Sequence, residues 1–539
     1  MSTLGTSTSD YLIVGAGSAG CLLANRLSAD GRHQVTVLEA GGSDRRFWIQ
    51  VPIGYGRTFY DERVNWCYET APEPGLNGRR SYWPRGKVLG GSSSINAMVY
   101  IRGQRRDFDD WRDHGNPGWG ADDVLPYFQR FEERAGLGGE LHVHDPRAKL
   151  HPLVDTYLSA TRSAGFKHTP DFNAFDSFEG TGTYHITTKA GRRHSTARAF
   201  LHPVSARDNL QVMTHAHVTR VIFNGTKATG VEFERDGVLH RMDARREVIL
   251  CGGAINSPQL LQLSGIGDAD LLTGLDIPVL VNQPAVGANL QDHLGINYYF
   301  KSRVPTLNND LNPWYGKLKA GLQYLINRGG HLSLSANQAG GFVRTDSSLG
   351  APNLQLYFTP ISYTRAPEGT RPLMNPDPYP AFFLSFQPSR PTSRGSLRIR
   401  STDPFEPPDI SPNYLGTDED IADALAGCRL MRELASQPAL KDIILEELQP
   451  GPQAITDADL IEDFRARSDT VFHPVSTCIM GSDPARSVVG PDLKVHGVDG
   501  LRIIDASVFP NLTSGNTNAP TIMVAEKGAD IILSEQNGA

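Results

Sequence analysis

Cysteine is scarce in this chain and nowhere paired. Cys21, Cys67, Cys251, Cys428 and Cys478 are spread over 539 residues with no CxxC spacing, which argues against a disulfide framework or a zinc site. No run approaches the ~20 apolar residues that span a bilayer, so no integral membrane segment is expected. Met1–Asp10 is polar, without the basic and apolar regions of a secretory leader. The expected compartment is the reducing cytoplasm. Charge of one sign is lacking as well. Fifty-two basic against 59 acidic residues leave a net −7, which gives no reason to expect nucleic acid or an anionic membrane as partner. Peripheral membrane contact and oligomeric state stay open.

What the chain has in quantity is glycine, 54 residues scattered with 36 prolines, a pattern of many turns and close backbone approaches. At roughly 150 residues per domain the length suggests two to four units. Tyr11–Val14 reads as a short buried strand, followed at once by Gly15-Ala16-Gly17-Ser18-Ala19-Gly20 and a helical pattern through Ala29. A second strand, Gln34–Leu38, closes on Glu39, nineteen positions after Gly20. Strand, GxGxxG, helix, strand and acid in this order describe a Rossmann dinucleotide site. Gly15 permits the tight turn, Gly17 lets backbone approach a pyrophosphate, and Gly20 brings helix against strand. Ser18 and Ala19 open the helix whose free N–H groups attract phosphate, while Glu39 suits a ribose hydroxyl and disfavours NADP. The motif does not choose between NAD and FAD.

Two longer glycine-rich segments follow. Gly86-Lys87-Val88-Leu89-Gly90-Gly91-Ser92-Ser93-Ser94-Ile95-Asn96-Ala97-Met98 offers backbone for close approach by a flat ring, or a plain turn beneath a helix. Cys251–Leu261 reads as a strand end, a Gly252-Gly253 turn and a helix from Ser257 or Pro258. Near the C-terminus, His473 precedes Pro474, which biases it toward an extended or turn segment. On its own such a histidine is more often structural than catalytic. Gly500–Pro510 and Thr513–Thr521 read as a strand, a polar loop and a helix from about Ile522. His142 with His144, and His215 with His217, lack a third converging ligand, so no metal site is expected.

Taken together, residues 86–103, 252–267, 286–293 and 473–481 resemble the glucose-methanol-choline (GMC) oxidoreductases, and the resemblance covers nearly the whole chain. It implies an α/β fold: a Rossmann-like FAD-binding domain and a substrate domain built on an antiparallel sheet flanked by helices. The domain boundaries expected are 1–160, 210–300 and 475–539 for FAD binding, with 161–209 and 301–474 for substrate. The resemblance implies FAD beside Gly86, Val88, Gly91, Ser92, Asn96, Ala97, Met98 and Ala254, with Ala40 and Val218 toward the adenosine. Asp505 and Ala506 would lie by the ribityl and phosphate portion, and Asn518 and Thr521 at the flavin. Some members carry a flavin-linked histidine where this chain has Ile95, so non-covalent FAD is expected.

In the same resemblance His473 is the catalytic base and Asn516 its partner. The expected reaction is oxidation of a primary aliphatic or aryl alcohol to the aldehyde. Oxygen or a quinone-like acceptor would take the electrons. A hydroxynitrile lyase on the same fold is the alternative. Gln338 stands where choline-oxidising relatives carry a glutamate, and with Tyr357 and Phe472 is expected in the substrate pocket. A neutral residue there argues against a quaternary ammonium substrate.

Overall fold

A computed structural model describes residues 7–134, 136–364 and 372–537. Strand Ser7–Val14 is central, flanked on both sides within the sheet. It pairs in parallel with Val35–Glu39 on one side and with Val238–Leu250 on the other. Leu210–Thr214 and Leu501–Ile503 extend the parallel sheet at its two sides. The segments His217–Asn224, Lys227–Arg235 and Val238–Leu250 form an antiparallel meander that completes seven strands. Tyr11, Leu12 and Ile13 are fully buried, as a parallel strand covered on both faces requires. Helix Ser18–Leu27 and the C-terminal helix Asn518–Asn537 pack against one another over this sheet. Both aim their N-termini at the same end of it.

A second seven-stranded sheet is antiparallel throughout. Its path runs Ile444–Gln449, Leu294–Ser302, Ala381–Pro388, Leu354–Thr359, Ala339–Val343 and Gly180–Thr183, with Asp469–Thr470 at the end of Leu294–Ser302. Period-two alternation divides its side chains. Leu354, Leu356, Phe358, Phe382, Leu384 and Phe386 face a core closed by helices Leu153–Ser163 and Asp418–Ser436. Tyr157 stacks on Phe358 at 4.9 Å, and a side chain on Gly427 would meet the Phe386 ring at 2.0 Å. The opposite set, with Tyr357, Phe383 and Ser385, roofs a large cavity above the parallel sheet.

The α/β architecture and the antiparallel second sheet agree with the expectation from sequence, and the helix expected near 417–436 is Asp418–Ser436. Three boundaries differ. Strand Leu294–Ser302 pairs in the second sheet, although most of it falls before residue 300. The helix after Gly252 begins at Gly253, and the C-terminal helix at Asn518 rather than Ile522. At Gly253 the glycine pair reads as a turn, and at Asn518 polar residues of the first turn mask the start of the apolar pattern.

Candidate active site

Between the sheets lies a cavity of about 720 Å³. Its floor is made of glycine contacts. Gly15 has φ +101°, and a side chain there would sit 2.6 Å from the Cys251 carbonyl oxygen. At Gly20 the same addition would meet the Gly15 oxygen at 1.9 Å. Gly17 differs, since its nearest protein neighbours would be 3.9 Å away. What a side chain at Gly17 would occupy is the approach to the first turn of helix Ser18–Leu27. That turn has no side-chain cap and no acidic residue, so its free N–H groups and dipole are available to an anion. Across the floor a side chain on Gly91 would strike the Gly17 Cα at 2.7 Å, which fixes the second glycine loop against the first.

Glu39 stands at one end of the cavity, with Oε2 accepting from the Ala16 N–H and Oε1 from the Gly41 N–H, both at 2.8 Å. Burial pushes its carboxyl up to about 7 despite those donors. Each oxygen keeps a lone pair for a ribose hydroxyl. Asp505 is buried under the cavity wall and accepts from the Gly253 and Ser507 N–H groups and the Ser257 hydroxyl. Ser18 donates to Asn518 at 2.7 Å, tying the two helix N-termini together. Asn96 is held by Arg193, whose guanidinium donates to its Oδ1 at 2.8 Å and to three backbone carbonyls around it. A pyrophosphate cradle, a carboxylate for ribose and a backbone-lined slot fit a flavin dinucleotide.

All the site residues singled out from sequence line this cavity except Gly20, Val88 and Gln338. Gly20 works from beneath, as its contact with Gly15 shows. The Val88 side chain packs with Ile49 and Val64, while its carbonyl accepts from the Gly91 N–H at 2.7 Å. It therefore braces the loop without facing the cavity. Gln338 is a correction by one residue. Its Oε1 accepts from the His151 N–H at 2.8 Å on the far side, and alternation turns Asn337 into the cavity instead.

At the other end His473 and Asn516 meet, the Asn516 amide nitrogen 3.0 Å from His473 Nε2. Further hydrogen bonds settle the direction of that contact. His293 Nε2 lies 2.9 Å from the Ser389 carbonyl oxygen, which can only accept, so His293 carries its proton on Nε2. Its Nδ1 then accepts across 3.0 Å from His473 Nδ1–H. His473 is left with an unprotonated Nε2 whose lone pair faces Asn516 and the cavity. From the other side Gln387 donates to Gln355 Oε1 at 3.0 Å, leaving the Gln355 amide to face Asn516 Oδ1 at 3.5 Å. That orients the Asn516 NH2 toward His473. His293, Gln355 and Gln387 are wholly buried.

The backbone of His473 is anchored too. Its N–H donates to Asp292 Oδ1 at 2.7 Å, while Tyr414 and Thr470 hydroxyls donate to Oδ2. Burial pushes the Asp292 carboxyl up to about 6 against these donors. Burial also holds His473 well below the usual imidazole range, with His293 and the Arg85 guanidinium acting in the same direction. His293 is pushed down to about 4 by burial. The neutral imidazole therefore persists as pH falls through 6.5, and among Asp292, His293 and His473 it is Asp292 that titrates first. In an Asp292→Asn variant the Tyr414 and Thr470 hydroxyls can turn to accept. Any acid limb near pH 6 in the rate of alcohol-driven flavin bleaching should then vanish, leaving a rate flat to well below pH 6. A limb persisting there would show that the imidazole titrates like an exposed one.

Fold and cavity together define a flavin-dependent oxidoreductase of the two-sheet kind. The chain belongs to the GMC oxidoreductases, whose N-terminal model matches residues 9–295 and C-terminal model residues 391–525. It is similar to the mitochondrial choline dehydrogenase of Mus musculus, with 44% identity covering 99% of this chain and 90% of that one. It is also similar to an alcohol dehydrogenase (acceptor) of Pseudomonas putida, with 41% identity covering 97% and 95%. Among solved structures, pyridoxine 4-oxidase from Mesorbium loti superposes with a TM-score of 0.86 at 30% identity, covering 97% of this chain and 98% of that one. The protein is accordingly an FAD-dependent enzyme of the alcohol-oxidising class.

Proposed function

We propose that this enzyme oxidises an uncharged primary alcohol, aliphatic or aryl, to its aldehyde, with His473 as the base and FAD held non-covalently. The observation that carries the reading is the unprotonated Nε2 of His473, fixed by the Ser389–His293 hydrogen bonds and facing the cavity 3.0 Å from an amide donor. A neutral imidazole in that tautomer can take the hydroxyl proton, and the Asn516 amide donates to the oxygen as it becomes alkoxide. When bound, the flavin supplies the hydride acceptor. Phe59, Tyr299, Phe383 and Phe472 line the substrate side, and their rings exclude water from the alcohol carbon. Either oxygen or a quinone-like acceptor would complete the cycle.

A second reading is a cationic alcohol such as choline, the substrate in the name of the Mus musculus relative. Asp469 favours it, since it is an acidic residue in the lining of the cavity, along with the aromatic residues Phe59, Tyr82 and Phe472, a composition that attracts cations. Against it stands the neutral Asn337. An anaerobic panel of alcohols with choline included separates the two. Uncharged primary alcohols should bleach the oxidised flavin absorbance and choline should not. Bleaching by choline alone would transfer the assignment to the second reading, and bleaching by no alcohol would overturn both. Admitting air and assaying H2O2 then identifies the acceptor.

A further inference from the structure

Helix Trp314–Asn327 has its apolar side facing out. Trp314, Tyr315, Leu318, Leu322, Leu325 and Ile326 are 50% to 82% exposed, while Ala320 and Tyr324 are buried. The spacing of the exposed set places it along one face of the helix. Six large apolar side chains standing together on one surface helix mark a binding surface rather than ordinary scatter. Lys317, Lys319 and Arg328 are exposed around the stripe, and no aspartate or glutamate occurs from Leu311 to Thr345. The turn Phe47–Gln50 continues the surface, with Phe47 and Trp48 exposed. It is joined to the helix through one hairpin: Tyr324 donates to the Gly191 carbonyl at 3.0 Å and Arg193 to the Ile49 carbonyl at 3.1 Å.

We propose that helix Trp314–Asn327 is a docking element for the surface of a lipid bilayer with anionic headgroups. It lies in the interface with its leucines and Ile326 toward the acyl chains. Three features point to that occupant. An amphipathic helix with aromatics at one end and lysines beside the apolar stripe has the composition of interfacial anchors. Its local charge is positive although the chain as a whole is acidic, and anionic lipid responds to local charge. A second copy of the chain fits less well, because a two-fold contact on this helix would set the basic residues Lys317, Lys319 and Arg328 of one copy against a face that carries no carboxylate to receive them. No described helix is long and apolar enough to cross a membrane, so contact would be at the surface.

The helix is one layer of side chains from the active site. Ala320 packs in the same cluster as Tyr55, Ala336 and Leu373, and those three also line the cavity. Docking would set the cavity beside the bilayer, where apolar alcohols and apolar acceptors concentrate.

Co-sedimentation of the FAD-loaded enzyme with extruded vesicles tests the proposal. Vesicles containing phosphatidylglycerol should pellet the protein, and pure phosphatidylcholine vesicles should pellet it far less. Leu322→Glu with Ile326→Glu should weaken binding at least about tenfold, since two buried apolar side chains become charged ones. Lys317→Gln and Lys319→Gln should each weaken it roughly fivefold. All these positions are exposed, so the thermal midpoint and the rate with a short water-soluble alcohol should hold. Wild-type protein that ignores both vesicle types, or the double glutamate variant pelleting like wild type, would overturn the proposal. So would a dimer in light scattering that the glutamates dissociate without any vesicle binding.

Discussion

Alanine at position 473 is expected to slow alcohol-driven bleaching of the flavin by about two orders of magnitude or more, the usual loss when a positioned base is removed. The expectation follows from position as much as from residue type. His473 offers a lone pair to the cavity because Ser389 and His293 oblige its proton to sit on Nδ1. Asn516 alone cannot substitute, since its oriented amide donates hydrogen bonds and takes no proton. The change removes no FAD contact made by the glycine loops, so the purified variant should keep its flavin. Stopped-flow mixing with a good alcohol reads the rate directly. A near-normal rate in a flavin-loaded variant would remove His473 from the chemistry.

Gly20→Ala should act instead on the fold beneath the cofactor. The added carbon would lie 1.9 Å from the Gly15 carbonyl oxygen and 3.3 Å from Ile13 Cγ2. Backbone cannot yield as a flexible side chain does, so the helix must move off the strand. Overpacking of this kind costs about 3 kcal/mol. The same movement withdraws the helix N-terminus from the phosphate position, and the variant should purify with depleted flavin as well as a lowered thermal midpoint. Gly138→Ala is the control, because nothing lies within 4 Å of its added carbon and its φ is not positive. Full flavin content and an unchanged midpoint in Gly20→Ala would refute the steric argument.

These two positions show what was legible in the sequence. Gly15, Gly17 and Gly20 could be read because their spacing sits in one strand–turn–helix unit. Only the Gly20 contact with Gly15 is local, and Gly15 and Gly17 also meet Cys251 and Gly91 from distant segments. The second sheet was legible in outline, since Leu354–Phe358 and Ala381–Phe386 are apolar strand-like runs of five or six residues. Gln338 was misplaced because a strand's phase decides which face a residue joins, and a one-residue error reverses it. His293, Gln355 and Gln387 were not assigned roles at all. They reach His473 and Asn516 from strands or loops more than eighty residues away in sequence, and single glutamines within apolar strands carry no pattern. The exposed helix Trp314–Asn327 was opaque for a related reason. Its periodic leucines predict burial, and only the packed structure shows which face the protein leaves uncovered.

The hydrogen bonds behind His473 run into a cul-de-sac. Ser389 offers a carbonyl, which takes no proton onward, and His293 beside it is fully enclosed. With His473 as the proposed base, a proton taken from the alcohol would travel no farther inward than His293, whose burial resists keeping it. It must leave by the side from which it came. On that reading an acceptor that needs protons as well as electrons, such as oxygen reduced to peroxide, would draw its proton from the cavity side rather than from the interior.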